Sequence, residues 1–295
     1  MEIGLVTKSV SGQYTVKTEK DEYICKPRGL FRKDGFKPLC GDIAEFEITD
    51  ISDKEGYIQK IKERKNSLIR PPVANVDTSV IVFSINNPKL DEFLIDLLIL
   101  ASRAHKIQSI LCINKSDLAD DDKLRLVMKE YEKCGCEIIV TDALHVDNLD
   151  RFSKVISSGI TVFAGQSGAG KSTLINALTK TKSMQTGILS RKIERGKNTT
   201  RHCQLLPYME GYIVDTPGFS KFDPGLLEPE AIKDMYNEFD KYKLVCKFND
   251  CKHINEKGCA VIKAVEENLI PIGRYNRYKM IYNMSKEALK NRRGY

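Results

Sequence analysis

The segment Gly165–Ser172, GQSGAGKS, limits what this chain can fold into more than any other stretch. It satisfies G-x-x-x-x-G-K-[ST] and stands directly between an apolar run, GITVF, and a helix-forming run, STLINAL. The glycines let backbone N–H groups curl around phosphates, and the following helix N-terminus adds its dipole. Gly165, Gln166, Ser167, Gly168, Ala169, Gly170 and Thr173 are the expected cradle. Lys171 would reach the β- and γ-phosphates, and the Ser172 hydroxyl would ligate Mg²⁺. An ordinary glycine-rich turn is the alternative, but it does not require a strand and a helix on its two sides.

A second motif, NKSD from Asn114 to Asp117, ends the apolar run SILCI. Asp117 can accept two hydrogen bonds from the N1–H and exocyclic amine of guanine. Asn114 can serve the acceptor side of the base, and the stem of Lys115 can lie over the ring. Adenine lacks the matching donors and would leave a carboxylate unpaired, a mismatch that discriminates by about 10⁴-fold. Alternatively, Asp117 merely caps a helix beginning at Leu118.

The sequence DTPG, Asp215 to Gly218, closes another apolar run. Asp215 stands where a Walker-B carboxylate holds Mg²⁺ through water, and the Gly218 amide could meet the γ-phosphate. Taken alone, these four residues are also a plain turn. Between the two phosphate motifs lies GKNTTRH, Gly196 to His202. A threonine here would complete the Mg²⁺ shell with a triphosphate and let go after hydrolysis. Thr200 joins Lys171 as a catalytic candidate, with Thr199 and His202 behind it, and the sequence does not choose between the two threonines. The alternative is an ordinary mobile polar loop.

In most proteins with these motifs the phosphate loop comes first. Here the guanine motif precedes it. Both end apolar strands, where ligands bind in open α/β sheets, and strands adjacent in space need not be adjacent in sequence. The order of guanine motif, phosphate loop, switch loop and DTPG is therefore a circular permutation. VTDA, Val140–Ala143, falls where a second base-contacting loop belongs, supplying Thr141 and Ala143.

Residues 1–68 contain short alternating segments separated by Gly, Asp and Ser turns, the pattern of a five-stranded barrel of OB or SH3-like type. KERKNSLIRPP reads as a linker that its prolines keep irregular. Residues 69–222 alternate continuous apolar strands with amphipathic helices, an α/β domain with a mostly parallel sheet. In KLDEFLIDLLILASRAH, Leu90, Phe93, Leu94, Leu97 and Leu98 share one face. Residues 223–295 are expected to be mostly helical. EPEAIKDMYNEFDKY is predicted to be one helix with Ile232, Met235, Tyr236 and Phe239 on its buried side.

Cys246, Cys251, His253 and Cys259 follow the spacing C-x4-C-x-H-x5-C. Three thiolates and an imidazole close a tetrahedral structural zinc site, which a segment so poor in apolar residues needs. The C-terminal IGRYNRYKMIYNMSKEALKNRRGY mixes basic residues with tyrosines. It suits RNA, although Tyr278, Ile281 and Tyr282 at helical spacing equally suit packing.

The 47 basic and 40 acidic side chains among 295 residues give a net charge of +7, which favours a polyanionic partner. The start MEIGLVTKSVSGQ lacks an export signal, and no apolar run reaches the roughly 18 residues that span a bilayer. A cytoplasmic protein with no membrane partner is expected. Six of the nine cysteines, Cys25, Cys40, Cys112, Cys134, Cys136 and Cys203, follow no metal-ligand order and read as free or buried thiols.

The motif order, the barrel before it and the cysteine cluster after it closely resemble the ribosome small-subunit-dependent GTPase A family over essentially the whole chain. The resemblance extends to the linker RKNSLIRPPVANVD. It implies a circularly permuted P-loop GTPase, with an N-terminal OB-type RNA-binding barrel and a C-terminal zinc-binding domain. It further implies GTP hydrolysis to GDP with Mg²⁺, stimulated by the small ribosomal subunit late in that subunit's maturation, with the barrel and zinc domains contacting ribosomal RNA; a monomer is expected. The family commonly has histidine before the paired threonines. This chain has Asn198 there and Phe219 after DTPG, so no residue is assigned to orient the attacking water. Because DTPG leads into the C-terminal domain, loss of the γ-phosphate would pull on the zinc-bearing arm. The competing expectations are a constitutive RNA-binding assembly chaperone whose nucleotide site is structural, and an ATP-using enzyme with an accidental NKSD.

Overall fold

The computed structural model describes residues 1–29, 37–144, 148–186, 203–215 and 223–293. The chain forms two compact units. One joins Met1–Ser79, Leu149–Phe163 and Ser172–Phe219; the other joins Val80–Asn148, Ala164–Lys171 and Ser220–Tyr295.

The first unit begins with five strands, β1 (Glu2–Val10), β2 (Gln13–Lys17), β3 (Glu22–Pro27), β4 (Ile43–Asp50) and β5 (Glu55–Ile61). Period-two alternation turns Val6, Val16, Cys25, Phe46 and Ile58 inward as a sealed core. Antiparallel pairing links β1 to β2, β2 to β3, β4 to β5 and β1 to β4, while β3 runs parallel to β5. The ring thereby closes, and the barrel is OB-like.

The linker is more regular than expected. Ser67–Leu68 (β6) and Val73–Ala74 (β7) form a two-residue antiparallel ladder. The Asn66 side chain clamps both the N–H and the C=O of Val76, at 2.9 and 2.8 Å, which supplies the order that the prolines were expected to prevent. The same unit carries helix α3 (Leu149–Val155), β11 (Ser158–Ala164), parallel to β13 (Glu210–Asp215), and β12 (Cys203–Tyr208), antiparallel to β13 and also to β1.

The second unit holds the end of β8 (Thr78–Phe83), β9 (Gln108–Ile113) and β10 (Glu137–Val140), in the order β10-β9-β8 with β9 and β10 parallel. Every residue of β8 is buried, as its uninterrupted apolar sequence requires. Helix α1 (Glu92–Ala104) starts at Asp91, whose carboxylate accepts from the Leu94 N–H at 3.0 Å. The single apolar stripe expected here is too narrow: Ile95 to Ser102 are all buried, whereas Phe93 and Leu94 are half-buried. Helix α2 (Asp121–Tyr131) is capped by Asp120.

The single helix expected in EPEAIKDMYNEFDKY is instead a chain of short turns. These are helices α5 (Pro229–Ile232) and α6 (Asp240–Lys243) with 3₁₀ turns at Lys233–Met235 and Asn237–Phe239 between them. Tyr236, at φ −109° and ψ 95°, breaks the run. Ile232, Tyr236 and Phe239 are nevertheless buried, against Tyr278 and Ile281 of the long terminal helix α8 (Ile272–Arg293), which follows α7 (Ala260–Glu266). Packing therefore claims the tyrosines of α8.

Arg274 and Arg277 of α8 are buried as well. Arg274 pairs with Asp96 of α1 and with Glu238, and Arg277 with Asp96, Glu92 and Glu130. Each of the two guanidinium groups thus faces at least two of the four carboxylates, so the buried positive charge is matched inside the network. Among the described residues no helix is long and apolar enough to cross a membrane.

Candidate nucleotide site and metal cluster

The phosphate loop leaves β11 at Ala164 and enters helix α4 (Lys171–Thr186). Its backbone accounts for the glycines. A Cβ on Gly165, at φ 122°, would lie 2.0 Å from the Val82 carbonyl; one on Gly170, at φ 93°, would lie 2.2 Å from Asn114 Nδ2. The Lys171 ammonium donates to the carbonyls of Gly165 and Gln166, both at 2.7 Å. Burial lowers its pKa from the ordinary lysine value, so an incoming phosphate would find a partly desolvated cation.

Asn114, buried at the end of β9, joins three segments. Its Nδ2 donates to the Ala169 carbonyl at 2.9 Å, and its Oδ1 accepts from the Ala143 N–H at 3.1 Å. The Thr141 amide donates to Ile113 and the Thr141 carbonyl accepts from Ser116, at 2.8 and 3.3 Å. NKSD, VTDA and the phosphate loop, distant in sequence, thus meet around one side chain. Asp117 lies in a 3₁₀ turn, Ser116–Leu118, and is exposed. The capping role weighed for it belongs to Asp120, which accepts from the N–H groups of Asp122 and Lys123.

Sequence reasoning passed over the turn that follows β8. Here the Lys115 ammonium donates to the Asn87 carbonyl at 2.9 Å, and Asn86 Nδ2 donates to the Leu118 carbonyl at 2.5 Å. The Ser84 hydroxyl donates to the Pro88 carbonyl at 2.8 Å, closing the turn on itself. The signal was the NNP triplet at the end of an apolar strand, a turn composition placed where ligands bind.

Ser172 and Thr173 lie in the first turn of α4, and Asp215 is the last residue of β13. Gly218, Thr199, Thr200 and His202, together with Asn198 and Phe219, lie outside the described residues.

Cys246, Cys251, His253 and Cys259 converge, their ligand atoms all within 4.8 Å of one another. Cys246 Sγ lies 3.8 Å from Cys259 Sγ and 3.6 Å from His253 Nδ1, which is 3.3 Å from Cys259 Sγ. A tetrahedron with metal–sulfur bonds of about 2.3 Å has edges of about 3.8 Å, so the cluster fits one metal ion. Burial, with the Lys233 charge behind it, pushes His253 down to about 4 and keeps the imidazole in its neutral, ligating form. Burial pushes Cys259 up to about 12; a cation is what would make its thiolate stable there. Three outer contacts shape the loop: Lys233 Nζ donates to the Cys251 carbonyl at 3.0 Å, and Tyr275 and Tyr278 donate to the carbonyls of His253 and Lys252.

Residues 61–224 match the family model of the RsgA GTPase, and residues 3–58 that of the RsgA N-terminal domain. The small ribosomal subunit biogenesis GTPase RsgA of Ruminiclostridium cellulolyticum is 42% identical over 290 residues, 97% of this chain and 95% of that one. Two solved structures align along nearly their full length. YloQ, a circularly permuted GTPase, is 34% identical with a TM-score of 0.81, covering 97% of this chain and 96% of that one. YjeQ from Thermotoga maritima is 32% identical with a TM-score of 0.81, covering 96% and 98%. A GTP-hydrolysing P-loop domain in permuted order, an OB-like barrel before it and a metal-ligand cluster after it are all present in one chain. This chain belongs to the RsgA GTPase family.

Proposed function

We propose that this protein hydrolyses GTP during late maturation of the small ribosomal subunit, and that the subunit stimulates the reaction. Asn114 carries the nucleotide part of this reading, because it ties the base motif to both the phosphate loop and the second base loop. Guanine would be read by Asp117, with Lys115 over its face. Lys171 would bridge the β- and γ-phosphates. Mg²⁺, held through Ser172 and Asp215, would neutralise charge as the γ-phosphoryl departs. Asn198 and Phe219 supply no obvious group to orient water, so slow intrinsic turnover is part of the reading.

The ribosomal part rests on the printed role of the relatives and on the net charge of +7, which suits a polyanionic partner. We assign the barrel to residues 1–68, the GTPase domain to 69–222 and the metal-bearing domain to 223–295. The metal is zinc, chosen by three thiolates and one imidazole at tetrahedral spacing. A monomer acting in the cytoplasm completes the proposal.

GTP hydrolysis by the purified protein with and without small subunits tests it, with ATP, large subunits and Lys171→Ala as controls. GTP-specific stimulation by small subunits alone is expected. Subunit binding without stimulation, unaffected by Lys171→Ala, would instead make the protein a constitutive RNA-binding assembly factor.

A further inference from the structure

Seven buried side-chain polar atoms among the described residues make no hydrogen bond to the protein, and three of them belong to one guanidinium and the two residues against it. These are Arg274 Nη2, Glu238 Oε2 and the Tyr236 hydroxyl. The three residues are 1%, 5% and 0% exposed and lie together in the second unit. A buried polar group without a partner forfeits its hydration and gains nothing in return, so three orphans in one place point to a shared ligand.

The geometry puts two of the three side by side. Arg274 Nε donates to Glu238 Oε1 at 2.6 Å, while Nη1 donates to Asp96 Oδ1. Nε and Nη2 form one edge of the guanidinium, and Oε1 and Oε2 are the two oxygens of one carboxylate. An arginine meeting a carboxylate along that edge commonly makes two parallel hydrogen bonds. Here the first bond is made and the second is not, which leaves Nη2 and Oε2 next to the same contact with capacity unused. The Tyr236 ring lies against this guanidinium, 4.6 Å from its carbon, and carries the third orphan. Asp96 cannot serve them, because Oδ1 is taken by Arg274 and Oδ2 by Arg277.

The donor set selects the ligand. Nη2 offers only hydrogens and Oε2 only lone pairs. A cation there would face the guanidinium hydrogens, an anion would face the carboxylate, and an apolar group would leave both unpaired. A water molecule accepts from Nη2, donates to Oε2 and keeps capacity for a hydroxyl, which can do either. Buried waters typically make about three hydrogen bonds to groups otherwise unpaired, and three are on offer.

We propose that Arg274 Nη2, Glu238 Oε2 and the Tyr236 hydroxyl bind one enclosed water molecule. It completes the joint among α1, the turn Asn237–Phe239 and α8, and lets a single guanidinium serve Asp96 and Glu238 at once.

A crystal structure of the full-length, metal-loaded protein, at a resolution that shows ordered solvent, tests this. One isolated peak is expected within about 2.7–3.2 Å of all three atoms, with no chain of waters leading to the surface. Crystals soaked in rubidium bromide are expected to give no anomalous signal there. Tyr236→Phe, whose fold circular dichroism checks, is expected to weaken the peak while Arg274 and Glu238 keep their places. A direct bond from Nη2 to Oε2 with no peak beside it, an anomalous signal from either ion, or a peak unchanged by Tyr236→Phe would each overturn the proposal.

Discussion

The side-chain amide of Asn114 donates to the Ala169 carbonyl, 2.9 Å away across 55 positions of sequence. One residue of NKSD thus holds a carbonyl of the phosphate loop, which permutation places after it in the chain. The carboxamide works in both directions, because its oxygen accepts from Ala143. Asn114→Ala would leave two buried backbone groups without partners, at roughly 1–3 kcal/mol each. GDP affinity, read by titration with a fluorescent GDP analogue, is expected to weaken by about tenfold or more. An unchanged affinity would mean that the three loops keep their arrangement without this side chain.

The turn after β8 gives a milder prediction. Asn86 is exposed, and its one hydrogen bond to the Leu118 carbonyl supports the turn that carries Asp117. Asn86→Ala removes a bond worth about 0.5–1.5 kcal/mol, so guanine nucleotides are expected to bind roughly 2- to 10-fold more weakly. Asn86→Asp, which cannot donate, is expected to match Asn86→Ala. Equal losses for GTP and ATP binding would show that the turn does not act through base recognition.

Much of this arrangement was legible in the sequence because each motif is local. Gly165 to Ser172 occupies one turn between a strand and a helix, and the cysteine cluster spans fourteen consecutive positions from Cys246 to Cys259. The missed features depend on partners far away in sequence. Nothing near Asn86 announces Leu118, and nothing near Arg274 announces Asp96, 178 residues earlier. The broken helix around Tyr236 failed for a related reason. Apolar spacing picked out Ile232, Tyr236 and Phe239 as buried, with Met235 only half-buried beside them, but the core contacts of Tyr236 with Phe239 and Tyr278 outweighed helix continuity.

The Arg274 network fastens the C-terminal region to the α/β part of the same unit. Its guanidinium, 1% exposed, lies between Asp96 and Glu238 and over the Tyr236 ring, 4.6 Å from the centroid. Helix α8 is therefore fastened to α1 by buried charge, in addition to being reached through the segment after DTPG. Arg274→Ala leaves two buried carboxylates short of a counter-charge and is expected to cost about 3–5 kcal/mol in urea denaturation. Replacing Arg274 by Met together with Asp96→Asn and Glu238→Gln is expected to recover part of that loss. A single substitution costing less than about 1 kcal/mol would show that water reaches the network and solvates it.

Metal removal separates the cluster from the nucleotide site. Around the ligands, Phe239 packs edge-on to His253 at 5.8 Å and the tyrosines of α8 hold the loop carbonyls, so protein contacts shape the loop. These contacts do not by themselves neutralise three clustered sulfurs; in small metal-bearing segments ion binding supplies much of the folding free energy. Stripping the ion with a chelator is expected to open residues 246–259 to trypsin at Lys247, Lys252 and Lys257. Cys251→Ser is expected to reproduce that sensitivity without chelator. Asn114, Lys115 and Lys171 make their hydrogen bonds to Ala169, Asn87, Gly165 and Gln166, none of which belongs to the cluster. GDP affinity should therefore change by no more than about twofold, within the thermal energy at one site. A chelated protein as resistant to trypsin as the loaded one would show that the loop is held by packing alone, and the metal would lose its structural role.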